Sequence, residues 1–348
     1  MLQENDITSK RKKEHIDLCL TDKVEFKVKT SGFEYYDFKH FALTEVDFNK
    51  ISFKTNFFKK KINFPFLISC MTGGTSEAEN INSRLAEVAN NLNIILGVGS
   101  QRQALENKNY HKSYKVIRKR APKIPILGNI GAAQLVKLKS TDLIKRLVDM
   151  IEADAMVVHL NPLQELLQPE GELEFSGLNK RIEKTVKEIN VPVIVKEVGA
   201  GISKESAKML LETGVKGIDV AGSGGTSWAG VEILRSKRQN DEVFWDWGLP
   251  TSYCISQVYP LKKKFDFVLI GSGGINSAME MAKAFALGSD ITASARIILQ
   301  SLINHGEEKV ILMINEWFNV LKKVLFLTGS KNLIDLRKNK IIRRAEFY

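Results

Sequence analysis

The chain has 348 residues, of which 44% are hydrophobic and 26% are charged. This composition is typical of a folded globular protein and excludes a disordered or fibrous chain, while the length allows two average domains or one large α/β barrel. The formal net charge of +11 fits a nucleic acid, an acidic membrane face or a small phosphorylated ligand, but the lysines are spread widely, which favours a generally basic surface.

The first 63 residues form a basic, aromatic-rich segment that we expect to pack beside the rest of the chain or to cap it. Only "KRKKEH" near the start is dense enough in positive charge to indicate a specific anion contact. No run has the length needed to span a bilayer, and the N-terminus lacks the apolar core of a signal peptide. Cys19, Cys70 and Cys254 form no CxxC pair, which disfavours a disulfide framework or a zinc site and predicts a reducing, cytoplasmic location.

From residue 64 onward, short apolar runs alternate with amphipathic segments. The runs are "FPFLISC", "NIILGVG", "IPILGNI", "AMVVHL", "VPVIVKE", "GIDVAG", "FDFVLIG" and "DITASA". Each is apolar on both faces, as in a covered parallel sheet, and several of the intervening helices open on Ser or Asn and close on Gly. Eight strands alternating with helices predict a (β/α)8 TIM barrel over residues 64–348, with segment 1–63 packed on it and a long loop after strand six at 226–264.

Glycine-rich loops follow three of these runs, in "SCMTGGT", "VAGSGGTSW" and "LIGSGGINS". Glycine lets the backbone approach a ligand and turn its N–H groups toward an anion. Because the loops after strands seven and eight form the usual phosphate site of barrel enzymes, "GSGG" and "ASAR" predict a bound phosphate.

Lys196 stands at the end of the fifth run, where the strand leaves an apolar interior. It could snorkel to the surface, donate to a cofactor or form a Schiff base. A flavin edge that gathers negative charge on reduction would use such a cation.

The fourth run ends in "VVHLNPLQELLQPEG", which contains His159, Asn161, Gln164 and Glu165. A lone histidine is more often a satisfied core residue, but four polar side chains on one short loop indicate a functional site. A single carboxylate with oxygen neighbours suits Mg²⁺, which keeps several waters and bridges to substrate phosphates.

Together these motifs resemble the type 2 isopentenyl-diphosphate isomerases, FMN-dependent enzymes that interconvert isopentenyl and dimethylallyl diphosphate. The resemblance extends from "RKKEH" at 11–15 to about Arg296, with a weaker continuation in "LTGSKNLIDL". The loop "HLNPLQE" is its most specific motif. The resemblance implies a need for FMN, for Mg²⁺ and for NADPH to reduce the FMN, and it implies a homo-oligomer of four or eight chains.

The resemblance also implies residue roles. Contacts to the substrate diphosphate are expected from Arg11, Lys12 and His15. The residues expected around the reacting part of the substrate are His159, Asn161, Gln164, Trp228 and Glu232, with Gln164 also binding substrate and Glu165 holding Mg²⁺. Those expected to bind FMN are Met71, Thr72, Gly73, Ser100, Asn129, Lys196, Thr226, Gly273, Gly274, Ala295 and Arg296.

Three features depart from the family's pattern. Asn276 replaces a basic residue, Ala221 replaces a serine, and "PEGELEFSG" replaces a more charged segment. They bear on flavin affinity and loop closure and remove no residue that the chemistry needs.

The reaction must protonate one carbon and deprotonate another in a water-poor pocket. Because the primary amide of Gln164 is a very poor acid, reduced flavin is the expected acid/base. The alternative is an FMN barrel oxidoreductase such as a 2-hydroxy acid oxidase or dehydrogenase, which would need a catalytic histidine with paired arginines. A nucleic-acid-binding protein is disfavoured because no basic-aromatic RNA motif occurs.

Overall fold

A computed structural model describes residues 2–237, 239–338 and 340–346. The strands are β1 (Tyr36–Phe38), β2 (Thr55–Phe57), β3 (Lys60–Ile62), β4 (Phe66–Ile68), β5 (Ile95–Gly97), β6 (Ile126–Gly131), β7 (Ala155–Leu160), β8 (Val193–Glu197), β9 (Gly217–Asp219), β10 (Val268–Gly271), β11 (Ile291–Ser294) and β12 (Ile341–Arg343). The helices are α1 (Leu2–Cys19), α2 (Ser76–Leu92), α3 (Arg102–Glu106), α4 (His111–Arg120), α5 (Ala132–Lys137), α6 (Asp142–Ile151), α7 (Pro162–Leu167), α8 (Leu178–Glu188), α9 (Lys204–Glu212), α10 (Trp228–Ser236), α11 (Thr251–Val258), α12 (Ala278–Leu287), α13 (Arg296–Leu327) and α14 (Leu333–Leu336).

Strands β4 to β11 close into one parallel barrel, in which each strand pairs with its neighbours in sequence and β11 returns to β4. Each of the eight apolar runs contains one barrel strand, so the predicted (β/α)8 fold is confirmed. The runs are apolar on both faces because one face packs inside the barrel while the other packs under the surrounding helices. The strand carboxyl ends therefore meet at one mouth.

Several helices begin with a side-chain cap. The hydroxyls of Ser203 and Ser277 accept the backbone N–H groups of Ser206 and Glu280, as expected for helices that open on serine. Helix α2 is capped by the hydroxyl of Thr75, which accepts the backbone N–H of Ala78.

The connection after β9 contains two helices, α10 and α11, where the sequence predicted a long loop. Helix α10 packs against α7 through a small apolar cluster that includes Leu167, Ile233 and Trp245. This packing joins the connection to the loop that follows β7.

The N-terminal segment covers both ends of the barrel. Side chains of Arg11, Lys12 and His15 on α1 lie at the mouth. At the opposite end, β2 and β3 form a hairpin whose Phe57 and Ile62 pack on the inward-facing strand residues. Within the described residues, no helix has both the length and the apolarity needed to cross a membrane.

The C-terminal part of the chain packs against the first barrel strand. The ring of Phe66 on β4 lies 6.1 Å from that of Trp317 and 6.4 Å from that of Phe318, both on α13. Gly306 interrupts the helical geometry of α13 with φ of 84°. After α13 and α14, strand β12 pairs antiparallel with β1.

We predict that Phe66→Ala lowers the free energy of unfolding by about 3–5 kcal/mol, because it leaves a cavity between β4 and α13 where the ring is fully buried. Urea denaturation followed by circular dichroism measures the change. Leu43→Ala is the control, since Leu43 is 75% exposed and should alter stability by less than about 0.5 kcal/mol. Equal midpoints for the two variants would contradict this account of the packing.

Candidate active site

A cavity lies at the mouth of the barrel, where the strand carboxyl ends meet the N-terminal helix. Nearly all the site residues predicted from the sequence line it, and Glu232 is the exception. The predicted site residues that line the cavity are Arg11, Lys12, His15, Met71, Thr72, Gly73, Ser100, Asn129, His159, Asn161, Gln164, Glu165, Lys196, Thr226, Trp228, Gly273, Gly274, Ala295 and Arg296. The structure therefore brings together residues from segments as distant as α1 and α13.

Helix α1 places positive charge over the cavity. The Lys12 ammonium donates to the carbonyl of Gly73 and, at 3.4 Å, to that of Ser100. Burial, reinforced by the charge of Arg11, lowers the pKa of Lys12 to about 7. An anion bound beside it would restore the charged form, so this face of α1 suits a phosphate or diphosphate.

Arg235 on α10 anchors α1. Its guanidinium donates to Glu14 at 3.0 Å, to Glu170 at 3.1 Å and also to Glu232. Arg11 approaches the same Glu170 at 3.9 Å. These ion pairs join α1, α10 and the loop after α7 into one wall of the cavity.

The carboxylate of Glu232 lies behind the wall and is fully buried. It accepts hydrogen bonds from His15 at 2.8 Å and from Gln164 at 3.1 Å. Burial alone would raise the pKa of Glu232, but the His15 hydrogen bond and the charge of Arg235 bring it below its ordinary value. Glu232 thus orients His15 and Gln164, and the ring of His15 meets that of Trp228 edge-on at 5.1 Å.

His159, near the end of β7, has a defined tautomer. Its Nδ1 lies 2.8 Å from Oδ1 of Asn129, while the amide nitrogen of Asn129 donates to the carbonyl of Val98. Nδ1 must therefore carry the proton, which leaves Nε2 as an acceptor. Burial, together with the charges of Lys196 and Lys12, lowers the pKa of His159 to about 4, so the ring is neutral at pH 7.

Asn161 and Glu165 present hard oxygen ligands. The Glu165 carboxylate accepts from Nδ2 of Asn161 at 3.0 Å and from the backbone N–H of Glu172 at 2.8 Å. Among the described residues, Oδ1 of Asn161 is buried without a hydrogen-bond partner, and no group of three or more His, Cys, Asp or Glu side chains could hold a metal. One carboxylate and one free amide oxygen fit a cation such as Mg²⁺, which takes its other ligands from water and phosphate.

The glycine-rich loops after β9 and β10 lie against each other. An added Cβ at Gly225 would lie 2.6 Å from the backbone nitrogen of Gly274, and Gly274 itself has φ of 64°. These loops, Thr226 and the start of α13 line one side of the cavity. The Arg296 guanidinium pairs with Glu25, and Arg296 is the first residue of α13.

Lys196 lies inside the barrel mouth with its side chain only 11% exposed, so it does not snorkel to the surface. Its ammonium donates to the carbonyl of Glu197 at 2.7 Å and lies 3.8 Å from Asp219. Peptide N–H groups and a helix start at one side, with a buried ammonium nearby, have the donor chemistry that a flavin mononucleotide requires for its phosphate and its ring. The cavity therefore fits FMN.

Sequence reasoning missed several residues of this region. Arg102 lines the cavity and pairs with Glu172 at 2.8 Å. The sequence feature that could have identified Arg102 is its position directly after "GSQ". Tyr114 lies in the middle of α4 and carries no such signal, yet its hydroxyl donates to Ser100 and an added Cβ at Gly73 would lie 2.1 Å from its ring. Two of the three departures from the family's pattern, Ala221 and Asn276, line the cavity.

Comparison with protein families gives a match over residues 166–343 to the family described as FMN-dependent dehydrogenase. Curated proteins named isopentenyl-diphosphate delta-isomerase match over almost the whole chain. The protein from Pelodictyon phaeoclathratiforme is 43% identical, with 98% of each chain covered. Those from Nostoc sp. and Pseudescherichia vulneris are 42% and 44% identical, covering 97% and 95% of this chain and 97% and 96% of theirs.

Solved structures share the fold at low sequence identity. A mandelate oxidase variant with (S)-mandelic acid has a TM-score of 0.67 at 14% identity, with 95% of this chain and 94% of that chain covered. The flavin-binding domain of baker's yeast flavocytochrome b2 has a TM-score of 0.68 at 16% identity, with 92% and 79% covered. At these identities the likeness shows the barrel fold alone.

We predict that His159 stays neutral, with its proton on Nδ1, from pH 7 down to pH 5, because its pKa is about 4. Nitrogen-15 NMR of labelled histidines distinguishes both tautomers from the cation, and His159→Gln assigns the signal by removing it. Since the ordinary histidine pKa is about 6.5, the unfolded chain takes up this proton first, and the group destabilises the fold as pH falls from about 6.5 toward 4. A cationic His159 at pH 6 would contradict the assignment.

Proposed function

The chain belongs to the isopentenyl-diphosphate delta-isomerase family, and we propose that it interconverts isopentenyl and dimethylallyl diphosphate with reduced FMN as acid/base and Mg²⁺ on the diphosphate. The observation that carries the proposal is the convergence, in one cavity, of the basic face of α1 with the "HLNPLQE" loop. Full-length similarity to proteins of that name supports the choice of reaction.

The diphosphate would lie under α1. Arg11, Lys12 and Arg102 supply charge-assisted donors on one side. Glu165 and the free Oδ1 of Asn161 would hold the Mg²⁺, which neutralises the diphosphate and fixes its orientation.

The FMN phosphate would lie between the glycine-rich loops and the start of α13, and the ring would lie near Lys196 and Asn129. When bound and reduced, with NADPH as the source of electrons, FMN supplies an acid/base group beside the five-carbon chain. Lys196 favours negative charge on the ring, and Asn129 keeps the His159 acceptor facing the cavity.

The side chains expected around the reacting part of the substrate are poorly suited to the proton transfers themselves. Gln164 and Asn161 are amides, and His159 is neutral with its Nδ1 proton donated to Asn129. The Glu232 carboxylate is occupied by His15, Gln164 and Arg235. The chain's residues instead bind, orient and exclude water, with the indole of Trp228 as an aromatic wall for a cation-like species.

Oxidation of a 2-hydroxy acid is the second candidate, because the FMN-dependent dehydrogenase model matches residues 166–343. That reaction calls for a histidine base beside paired arginines that hold a carboxylate. His159 is instead flanked by Asn129 and Lys196, and Arg235 is engaged by three glutamates. The arrangement favours the isomerase.

A cytoplasmic location and an assembly of four or eight chains stay predictions. The three cysteines are all free, which supports a reducing compartment. Small isoprenoid diphosphates, rather than nucleic acid or a membrane, are the proposed partners.

Glu165→Gln should abolish most activity and leave bound FMN unchanged, because a neutral amide is a much poorer ligand for Mg²⁺. Rates measured across a range of Mg²⁺ concentrations should show only partial rescue. Glu174→Gln is the matched control, since Glu174 is exposed in the following loop. A wild-type rate and Mg²⁺ dependence in Glu165→Gln would remove this residue from the metal site.

The decisive test of function is the ratio of product to reductant. The purified protein should be yellow, and isopentenyl diphosphate should be isomerised anaerobically only after reduction of the FMN. Because isomerisation changes no oxidation level, one reduction should support many turnovers, with far less NADPH consumed than product formed. Consumption of one NADPH per product would exclude the proposal, and so would full activity with oxidised FMN.

A further inference from the structure

Three polar residues form a row across neighbouring barrel strands at the mouth. His159 on β7 pairs in register with Lys196 on β8, and Lys196 pairs in register with Asp219 on β9. His159 and Lys196 line the cavity, whereas Asp219 does not. The row therefore continues one residue beyond the site, into the barrel wall.

Asp219 is a buried carboxyl group with a complete set of partners. It is 1% exposed, and it accepts a hydrogen bond from the hydroxyl of Ser272. The backbone N–H of Ala221 and the ammonium of Lys196 also favour its charged form, although burial raises the pKa of Asp219 overall. A buried carboxylate is costly unless it neutralises a neighbouring charge, and Lys196 is that neighbour at 3.8 Å.

We propose that Asp219 is the buried counter-ion of Lys196 and sets how strongly this lysine favours reduced over oxidised FMN. The inference rests on the proposed function, because it assumes that FMN lies beside Lys196. Asp219 is a positioning residue here, since it touches the lysine and lies outside the cavity lining.

The net charge of the pair determines its effect on the flavin. Lys196 and Asp219 together carry no net charge. Reduction adds negative charge to the flavin ring, and the neutral pair stabilises that charge less than an isolated ammonium would. Removing the carboxylate charge leaves the ammonium to pair with the reduced ring alone. Reduced FMN should then bind more tightly relative to oxidised FMN, and the midpoint potential should become more positive.

The test uses Asp219→Asn, which keeps the shape of the side chain and removes its charge. Wild type and variant are saturated with FMN, and their midpoint potentials are measured anaerobically against reference dyes. We expect the ratio of reduced to oxidised FMN affinities to rise at least tenfold, which corresponds to about 30 mV for a two-electron couple. Asp154→Asn is the control, because Asp154 pairs with Lys60 and Arg118 at the opposite end of the barrel. Its potential should equal that of the wild type.

A second pair of variants covers the case in which Asp219→Asn does not fold with an uncompensated lysine. Lys196→Met should lower the potential, and Lys196→Met combined with Asp219→Asn should raise it again toward the wild-type value, because that double variant is neutral like the native pair. The effect of the Asp219 carboxylate on the midpoint potential is then the difference between Lys196→Met and the double variant.

The outcomes separate the two proposals. If wild-type protein takes up FMN but neither comparison shows a more positive potential on loss of Asp219, the counter-ion role is wrong and the proposed function stands. If the wild-type protein takes up no FMN at all, both are overturned.

Discussion

Closing eight parallel strands into one barrel is the constraint on which the rest of the structure depends. Both faces of such strands are buried, so polar side chains are tolerated mainly where the strands end. Asn129, His159, Lys196 and Asp219 all lie at or near those ends. The parallel pairing of β6 to β9 brings them within reach of each other, although they are separated along the chain by helices.

In the cavity that results, hydrogen bonds orient most of the polar side chains that follow β7, and few of these are free to act as acids or bases. Hydrogen bonds already occupy Glu232 and fix the tautomer of His159, while Glu165 shares its oxygens with Asn161 and Glu172. The groups that stay free to bind a ligand are the positive charges on α1, one amide oxygen and a set of peptide N–H groups. Such a site is suited to holding a phosphorylated ligand and a cofactor in register, with the reactivity supplied by the cofactor.

The barrel could be predicted from the sequence because each strand is marked twice, by an apolar run and by the glycine or polar cluster that ends it. The site could be predicted where local motifs carry it, as in "HLNPLQE" and "GSGGINS". Tyr114 could not, because its contact with the loop at Gly73 depends on how α4 packs against α2 and α6. Asp219 stands inside the apolar run "GIDVAG", but its role could not be predicted from the sequence, because only the strand register places it beside Lys196. The long connection after β9 was predicted correctly, and the structure adds that it contains the short helices α10 and α11.

The anchoring of α1 has a consequence for how the protein is made. His15 and Glu14 are synthesised well before their partners Glu232 and Arg235, which follow 217 and 221 positions later. At roughly 5–20 residues per second, the ribosome needs about 10–40 s to produce α10 after α1 has formed. During that interval α1 has been synthesised without Glu232 and Arg235. The cavity wall that α1 forms with α10 can therefore be assembled only after α10 has been synthesised.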